Sequence, residues 1–377
     1  MQRNPALDLL RGVLLLLMTM THLPTVWSSA LGEPLGFISA AEGFVFLSAF
    51  MAGRIFVSRC ESLGPQAARR WMFARALRLY FAHVALLLLA FTVAAWIATH
   101  FQRPALHNLL DFYFQSPRRA VVGSATLLYQ PPLLDILPMY ILFFLGTPVV
   151  MRTVDLCGWR GVLGASVAVW LAAQFGLRAS IHHLLEQSIG WGVPLNVSGS
   201  FDLYAWQLLW TLGLWFGAMG ADRTRQILSS SSGTLIAALA VSSIMFAWRR
   251  YSGPMGFEDL ARHLFWIDKW TLSPVRIVNF AAVLCVVLGG GARLVQHLRI
   301  PRMEELGRAS LWVFVAHIAF VLLALGLTDG EGQPLSGMTG VVVILVGYAI
   351  LFFTAALYRH LRVRPPTQAA PGTQGFA

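Results

Sequence analysis

Apolar runs of about 20 residues alternate along the chain with shorter polar junctions that are rich in arginine. A helix of about 20 residues spans the hydrocarbon core of a bilayer, because each residue adds about 1.5 Å. The pattern predicts an all-α, polytopic membrane protein with an integral-membrane domain over 1–362 and a disordered tail over 363–377. Ten spans are predicted, at about residues 7–27, 36–57, 79–99, 134–152, 161–180, 203–220, 233–249, 274–294, 309–327 and 338–358.

Composition supports the membrane assignment. Of the 377 residues 57% are hydrophobic and 12% charged, whereas about a quarter of the residues of a soluble domain are charged. The net charge of +11 is carried almost entirely by arginine, with Lys269 as the only lysine. In a soluble protein this excess would favour nucleic-acid binding. Here the arginines lie between apolar runs, so we expect the bilayer, and phosphates or anionic lipids, as partners, and no nucleic acid.

The distribution of basic residues predicts the orientation in the membrane. With the N-terminus in the cytoplasm, nineteen arginines lie on the cytoplasmic side and nine basic residues on the outer side. Cytoplasmic loops carry the excess of Lys and Arg, so both termini are predicted inside.

The first apolar run, Leu7 to Trp27, carries Asp8, Arg11 and His22. Ionisable groups inside a span are costly and indicate function by default. Arg11 and His22 are eleven positions apart, which places them on one stripe of a helix, about 16 Å apart along its axis. Arg11 would lie at one membrane face and His22 about halfway across or a little beyond. The alternative is structural: a snorkelling arginine, and a histidine hydrogen-bonded inside the bundle.

Two carboxylates lie near the predicted outer face. Glu42 is close to the outer end of the second run, where pairing with His22 would fix the tautomer of the histidine. Its alternative is a hydrogen bond that only packs helices. Asp135 lies at the mouth of the fourth run, in QPPLLDILPMY, where prolines fix the backbone. Its alternative is a helix N-cap or first-turn acid.

No metal site is predicted. Cys60, Cys157 and Cys285 are scattered without a metal-ligand spacing and are expected to be free thiols. The pair His182-His183 has no third ligand at a zinc spacing.

The outer junctions are longer than the inner ones and mix aromatic with polar residues. This mixture suits sugar stacking, and it suits an aromatic belt at the membrane interface equally well; we expect the belt for most of these residues. The three long junctions are 100–133, 181–202 and 250–273, the last of which contains Glu258, Asp259, His263, Trp266, Asp268, Lys269 and Trp270.

Several motifs together resemble a known family. RGVLLLLMTMTH has an arginine, ten residues and a histidine, the spacing typical of the first helix of membrane-bound acyltransferase-3 proteins. Six segments, in order from about residue 6 to 320, resemble the OpgC branch of that superfamily. They are LDLLRG, SAAEGFVFLSAFMAG, PPLLDILPMYI, GSFDLYAWQLLW, DKWTLSPVRIVNF and LGRASLWVFVAH. The resemblance implies a ten-helix bundle with cytoplasmic termini, associated with succinylation of osmoregulated periplasmic glucans.

The resemblance also implies three catalytic residues. His22 matches the essential first-helix histidine of the superfamily, taken to be the general base on the acceptor hydroxyl. Glu42 and Asp135 match the acidic positions of the OpgC motifs. One departure is Ala49, which stands where glycine is often found in the FLSGF-type stretch; it bears on helix spacing rather than on chemistry.

Substrate-binding residues are implied in the same way. Arg11 matches the arginine at the cytoplasmic mouth, where the phosphates of acyl-CoA or the path of the acyl chain need a cation. Lys269 and Arg276 match the basic pair of the DK…PxR stretch. His317 matches the histidine of an SLxxFxxH-like motif near the C-terminus. The free carboxylate of a succinyl group also needs a cation, for which Arg54 and Arg276 are candidates.

The chemistry suits these residues. A neutral imidazole takes the proton of a sugar hydroxyl as that oxygen attacks a thioester, a contribution of typically about 10²–10⁴-fold. The oxyanion needs donors, which an Arg, Lys or Trp N–H supplies. The sequence contains no G-x-S-x-G elbow, which favours direct transfer, with a covalent acyl-histidine as the alternative.

We therefore predict a bacterial inner-membrane O-acyltransferase with acyl-CoA as co-substrate, a glycan as acceptor and no bound cofactor. The rival hypothesis is a transporter or flippase that uses Arg11, His22, Glu42 and His317 as a relay. A third hypothesis is an accessory subunit of a glycan assembly machine with a decayed site. The retained Arg–His spacing argues weakly against it.

Overall fold

The described part of the protein is predominantly helical. The computed structural model describes residues 4–220, 223–224, 226, 231–251, 265–289, 298–328 and 333–363. Within these ranges it has no β-strand and two isolated bridges, Thr25–Leu335 and Gln130–Ser198. The predicted all-α class is confirmed for these residues. The predicted tail beyond residue 363, and Glu258, Asp259 and His263 of the third outer junction, lie outside them.

The helices of the described ranges are numbered in chain order. They are α1 (Pro5–His22), α2 (Ser28–Leu31), α3 (Ala40–Leu63), α4 (Pro65–Leu89), α5 (Ala95–His100), α6 (Pro104–Leu109), α7 (Asp111–Gln115), α8 (Pro117–Ala125), α9 (Ile136–Gln174), α10 (Leu177–Ile189), α11 (Leu203–Met219), α12 (Ser232–Tyr251), α13 (Pro274–Gly289), α14 (Pro301–Arg308), α15 (Ser310–Leu325) and α16 (Gly337–Val363). A π-helical turn over Ala90–Ala94 joins α4 to α5, and Leu195–Val197 form a 3-10 turn. Helices α1, α3, α4, α9, α11 and α15 contribute most of the main hydrophobic core.

Among the described residues, six helical segments are long and apolar enough to cross a membrane. They are Pro5–His22, Ala40–Leu63, Pro65–His100, Ile136–Gln174, Ser232–Tyr251 and Gly337–Leu361. The pair α14 and α15 passes the same test but is bent by 86°, so it adds a seventh if it is one span. Helices α11 and α13 coincide with predicted spans but have only 17 and 16 residues. Ten spans, and termini in the cytoplasm, stay predictions.

Helix α9 covers two of the predicted spans. Its 39 residues would form a straight helix of about 58 Å, roughly twice the hydrocarbon core. The backbone leaves helical geometry at Gly158, where φ is 70° and ψ is 171°, a region that glycine enters readily. This break lies in the predicted junction between residues 152 and 161.

Helix α1 is shorter than predicted. The Asn4 side chain accepts a hydrogen bond of 3.0 Å from the Ala6 N–H and caps its start. The helix ends at His22 instead of continuing to residue 27. Pro24 explains the difference, because the residue before a proline avoids helical geometry, and Leu23 is extended with φ −65° and ψ 137°. His22 is therefore the last residue of the helix rather than one in its middle.

Glycines let two pairs of helices approach closely. A Cβ atom at Gly217 of α11 would overlap the Phe50 carbonyl oxygen of α3, and one at Gly213 would lie 2.5 Å from Ala49 Cβ. Ala49 thus faces a glycine on the neighbouring helix, so its departure from the family pattern lies at a helix contact. A Cβ atom at Gly307 of α14 would overlap the Asp8 carbonyl oxygen of α1.

Candidate functional site

Three adjoining cavities follow α1 from its N-terminal to its C-terminal end. The arginine cavity, about 520 Å³, is lined by six arginines: Arg11, Arg54, Arg59, Arg75, Arg78 and Arg308. The histidine cavity, about 400 Å³, lies at the other end and is lined by His22, Asp135, Ser200, Phe201, Lys269 and Trp270, among others. Between them is the waist, about 30 Å³, whose lining includes Phe44, Leu79, Leu137, Tyr140, Leu311 and Phe314.

The waist lies between the two larger cavities and shares lining residues with both. It shares Arg11, Ser48 and Arg75 with the arginine cavity, and Ile136 and Phe314 with the histidine cavity. A volume of about 30 Å³ accommodates roughly two water molecules, so the connection is narrow. The three cavities follow one another along α1, and the predicted orientation places the arginine cavity toward the cytoplasm and the histidine cavity toward the outer side.

His22 lies where α1 reaches the histidine cavity. Its Nδ1 is 3.1 Å from Nε2 of His317, and the two rings lie edge to edge, with centroids 5.4 Å apart and planes 13° apart. Because Nδ1 faces His317, Nε2 is the nitrogen left for a molecule in the cavity. This is the geometry that a general base on a bound hydroxyl requires.

The position of His317 does not support the expected role in substrate binding. Its exposed fraction is 0%, and it is not among the described residues that line the three cavities. The ring lies behind His22 and between α15 and α1, where it contacts the other histidine. A residue so placed acts on a substrate only through His22.

Glu42 forms a helix cap and a buried ion pair instead of pairing with His22. It has an exposed fraction of 0% and accepts hydrogen bonds from the Ser39 N–H at 3.0 Å and from Ser39 Oγ at 2.5 Å, a capping box for α3. Its other oxygen accepts from Arg276 Nη1 at 2.9 Å. The structural alternative describes Glu42 better than the predicted contact with His22.

Arg276 is held by the protein on all three nitrogens. Nε donates to the Ile267 carbonyl at 2.9 Å, and Nη1 donates to the Phe37 carbonyl at 2.7 Å as well as to Glu42. Nη2 forms an ion pair with Glu33. An acyl carboxylate would have to displace one of these partners, so the geometry does not support Arg276 as its binding cation.

Asp135 lies in the wall of the histidine cavity, directly before α9. It occupies the N-cap position of α9, as the structural alternative expects, but its side chain makes no capping hydrogen bond. Oδ2 instead accepts from the Ser200 N–H at 3.0 Å. Two residues earlier, Leu133 has φ 71°, a strained value that is typical of residues at functional sites.

Lys269 is positioned by the residues on either side of it. Asp268 Oδ2 accepts hydrogen bonds of 2.8 Å from both the N–H and the hydroxyl of Thr271. The Trp270 carbonyl accepts from Trp206 Nε1 at 3.0 Å. The ammonium lies 5.0 Å from the centroid of the Trp270 ring, and burial lowers the pKa of Lys269. The only lysine of the chain thus places a cation in the histidine cavity.

Two aromatic rings of the outer junctions also line the histidine cavity. Phe201 and Trp270 meet edge to face with centroids 5.3 Å apart, and 42% of Trp270 is exposed. Rings of this kind stack on the faces of sugars. For these two residues the stacking interpretation of the outer aromatics fits better than the interfacial belt.

The expected cations Arg11 and Arg54 both line the arginine cavity. Arg11 also lines the waist, where Nη2 donates to Ser48 Oγ at 3.4 Å and the guanidinium lies 5.9 Å from the centroid of the Phe44 ring. Arg54 lies across the waist from His22. Because the carboxylate of a short acyl group stays close to its carbonyl carbon, a cation of the histidine cavity suits it better than Arg54, which lines the other cavity.

Sequence reasoning missed the other four arginines of this cavity as site residues. Arg59 and Arg75 lie over the rings of Trp71 and Phe144, with centroid distances of 5.8 and 5.9 Å. Asp8 is the one acidic residue among the described residues that line this cavity. Its Oδ2 lies 3.5 Å from Nε of Arg308. The available signal was spacing, since Arg75 and Arg78 are three positions apart and share a helix face. Clustered guanidinium groups suit phosphate.

The residues considered for metal binding or disulfides form neither in the described part of the chain. His182 Nε2 lies 2.9 Å from the Val193 carbonyl oxygen, and no described group of three or more His, Cys, Asp or Glu residues has the geometry to hold a metal. The prediction of free thiols is confirmed for Cys60, Cys157 and Cys285.

Comparison with known proteins identifies one family. Residues 3–363, nearly the whole chain, match the family model described as OpgC protein. Neither a curated protein nor a solved structure matches the chain. The extent of the family match is sufficient by itself, and the chain therefore belongs to the OpgC family.

Proposed function

We propose that this OpgC protein is a bacterial inner-membrane O-acyltransferase. It moves an acyl group, with succinyl as our candidate, from cytoplasmic acyl-CoA to hydroxyls of a periplasmic or surface glycan. Membership in the acyltransferase-3 superfamily is part of the proposal. One observation carries it: His22 lines a cavity that a narrow waist joins to a second cavity lined by six arginines.

The arginine cavity is the proposed site of the donor's phosphates. Its positive charge exceeds its negative charge, and guanidinium groups bind phosphate oxygens through two parallel hydrogen bonds. The thin thioester arm of acyl-CoA then passes through the waist. Along α1 this path covers about 16 Å from Arg11 to His22.

The transfer step uses His22 as the base. Nε2 takes the proton of the acceptor hydroxyl while that oxygen bonds to the thioester carbonyl carbon. The tetrahedral intermediate collapses, the C–S bond breaks, and the departing thiolate of CoA takes the proton from the imidazolium. The products are an ester and free CoA, and no covalent enzyme intermediate is required.

The remaining residues of the histidine cavity hold the reactants. Phe201 and Trp270 stack on the sugar, and Asp135 accepts a hydrogen bond from a neighbouring hydroxyl. Lys269 takes the place of Arg54 and Arg276 as the cation for the acyl carboxylate, because it shares the cavity with His22. A cation here also stabilises the oxyanion of the intermediate.

The test is mass spectrometry of periplasmic and envelope glycans from cells that carry the wild-type chain, no chain, or His22→Ala. We expect an acyl mass increment that is present with the wild type and absent in the other two, while His22→Ala still inserts into the membrane. His182→Ala, a histidine outside the cavities, serves as the matched control and should keep the increment.

Two outcomes would contradict the proposal. Normal acylation by His22→Ala would exclude His22 as the base. Substrate flux through liposomes containing the purified protein, without acylation, would support the transporter or flippase hypothesis instead.

A further inference from the structure

The contact between His22 and His317 constrains which nitrogen of His22 carries hydrogen. A nitrogen–nitrogen distance of 3.1 Å between two imidazole rings requires one hydrogen between them. Either His22 donates from Nδ1, or His317 donates from Nε2. The heavy-atom distance is the same in both cases, so the chemistry required of His22 decides the direction.

The two directions have opposite consequences for the histidine cavity. If His22 donates from Nδ1, its neutral ring has a lone pair on Nε2, the nitrogen left for the cavity, and the ring can accept a proton there. If His317 donates, the neutral His22 ring carries its hydrogen on Nε2 and presents a donor. A base on a hydroxyl is possible only in the first arrangement.

The proposed function selects the first arrangement. A His22 that takes the proton of the acceptor hydroxyl needs a lone pair on Nε2, so its own hydrogen is on Nδ1, the atom that faces His317. The two ring planes are 13° apart with centroids 5.4 Å apart, so the rings lie edge to edge, as a hydrogen bond between ring nitrogens requires. His317 then accepts through the lone pair on its Nε2.

We propose that His317 is a positioning residue that accepts a hydrogen bond from His22 Nδ1 and thereby keeps His22 Nε2 unprotonated and directed into the histidine cavity. The inference deepens the proposed function, on which its catalytic part rests. When His22 takes a proton from the acceptor hydroxyl, the same hydrogen bond becomes charge-assisted and stabilises the imidazolium. The proton stays on His22, and His317 remains neutral.

Two nearly isosteric variants separate the hydrogen bond from simple packing. His317→Gln keeps an acceptor oxygen at a similar reach, whereas His317→Met fills a similar volume without a strong acceptor. We expect His317→Met to lower kcat by about 10²- to 10⁴-fold, the range for a misdirected catalytic base. His317→Gln should recover kcat to within about tenfold of the wild type. KM for the acyl donor should not change in either variant, since His317 lies outside the cavities. Equal kcat values for the two variants would overturn the proposal.

Nitrogen-15 NMR of histidine-labelled protein in bilayers tests the tautomer without any transfer reaction. The signals of His22 are assigned by their loss in His22→Ala. We expect a protonated Nδ1 and an unprotonated Nε2 in the wild type and in His317→Gln, and a shift toward Nε2–H in His317→Met. A wild-type His22 with hydrogen on Nε2 would refute the inference. Absence of acyl transfer by wild-type protein with the expected tautomer would instead refute the proposed function.

Discussion

At the scale of single residues, the proposed transfer reaction depends on the positive charge of Lys269 in the histidine cavity. Burial lowers the pKa of Lys269 below that of an exposed lysine, with Arg276 acting in the same direction and Glu42, Glu33 and Asp135 acting against it. The proposed role requires the charged ammonium. Transfer should therefore fall as the pH rises through the pKa of Lys269, and this fall should begin at a lower pH than for an ordinary lysine.

Rates of acyl transfer measured from about pH 6 to pH 10 test this expectation. Arginine keeps its charge over that range, so the transfer rate of Lys269→Arg should not decrease at alkaline pH. Lys269→Gln should be slow at every pH. If the transfer rate of Lys269→Arg decreases at alkaline pH as it does in the wild type, another group is responsible for the titration.

The sequence predicts some site residues and misses the roles of others, for a physical reason. The Arg11–His22 spacing depends on one unbroken helix, and α1 is unbroken between them. The partners of Glu42 and Arg276 depend on how α3 and α13 meet, which no local pattern contains. The sequence alone also suggests the wrong partner for His317, the substrate. Its contact with His22 joins residues that are 295 positions apart, so no local pattern contains it.

At the scale of helices, close packing of α3 against α11 depends on glycine. A Cβ atom at Gly217 would overlap the Phe50 carbonyl oxygen, which belongs to backbone and cannot move alone. Gly217→Ala should lower the free energy of unfolding by about 1–3 kcal/mol. Gly146→Ala is the matched control, because nothing lies within 4 Å of its added Cβ and alanine favours the helix.

Thermal melting in detergent compares these two variants. We expect a lower Tm for Gly217→Ala and an unchanged or higher Tm for Gly146→Ala. Equal Tm values would mean that α3 and α11 separate at little cost.

The ion pair of Glu42 and Arg276, which joins α3 to α13, stabilises the fold. Removal of Arg276 leaves Glu42 buried without its cation, so Arg276→Met should lower the free energy of unfolding by about 3–5 kcal/mol. Arg249→Met also removes a partner of Glu33, but Arg249 is 28% exposed and the loss should stay below about 1 kcal/mol. Melting curves and KM for the acyl donor are the measurements. A stable Arg276→Met protein with a raised KM would restore Arg276 to the substrate site.

Helix positions are predicted better than helix ends and breaks. Apolar runs locate a helix at each predicted span, because hydropathy alone decides which segments are helical in a membrane. The end of α1 follows from Pro24, a local signal that the length of the apolar run obscured. The 86° bend between α14 and α15 has no comparable signal in the apolar pattern. Gly307, close to the bend, packs against the backbone of α1, a contact between residues far apart in sequence.

At the scale of the whole molecule, the waist controls passage between the two large cavities. Leu311 lines both the waist and the arginine cavity, and a larger ring there would fill a volume of about 30 Å³. Leu311→Trp should leave binding of acyl-CoA to the arginines intact and slow transfer on the order of 100-fold, because the thioester no longer reaches His22. Leu323→Trp, on the same helix at a 42% exposed position, is the control.

Binding of acyl-CoA and single-turnover transfer are measured separately for both variants. Normal transfer by Leu311→Trp would show that the donor does not use the waist. Loss of both binding and transfer would indicate that the donor's phosphates do not depend on the arginines alone.

The narrow waist also bears on the energy that a cell stores across its membrane. An enzyme that receives one reactant from each face contains water-filled space on both sides, and a continuous file of water would discharge the ion gradients. Among the described residues, the space between the two cavities is a constriction of about 30 Å³ with largely apolar walls. In the proposed mechanism the thioester arm would itself block this constriction during turnover. The same feature would then let an acyl group cross while the bilayer stays electrically sealed.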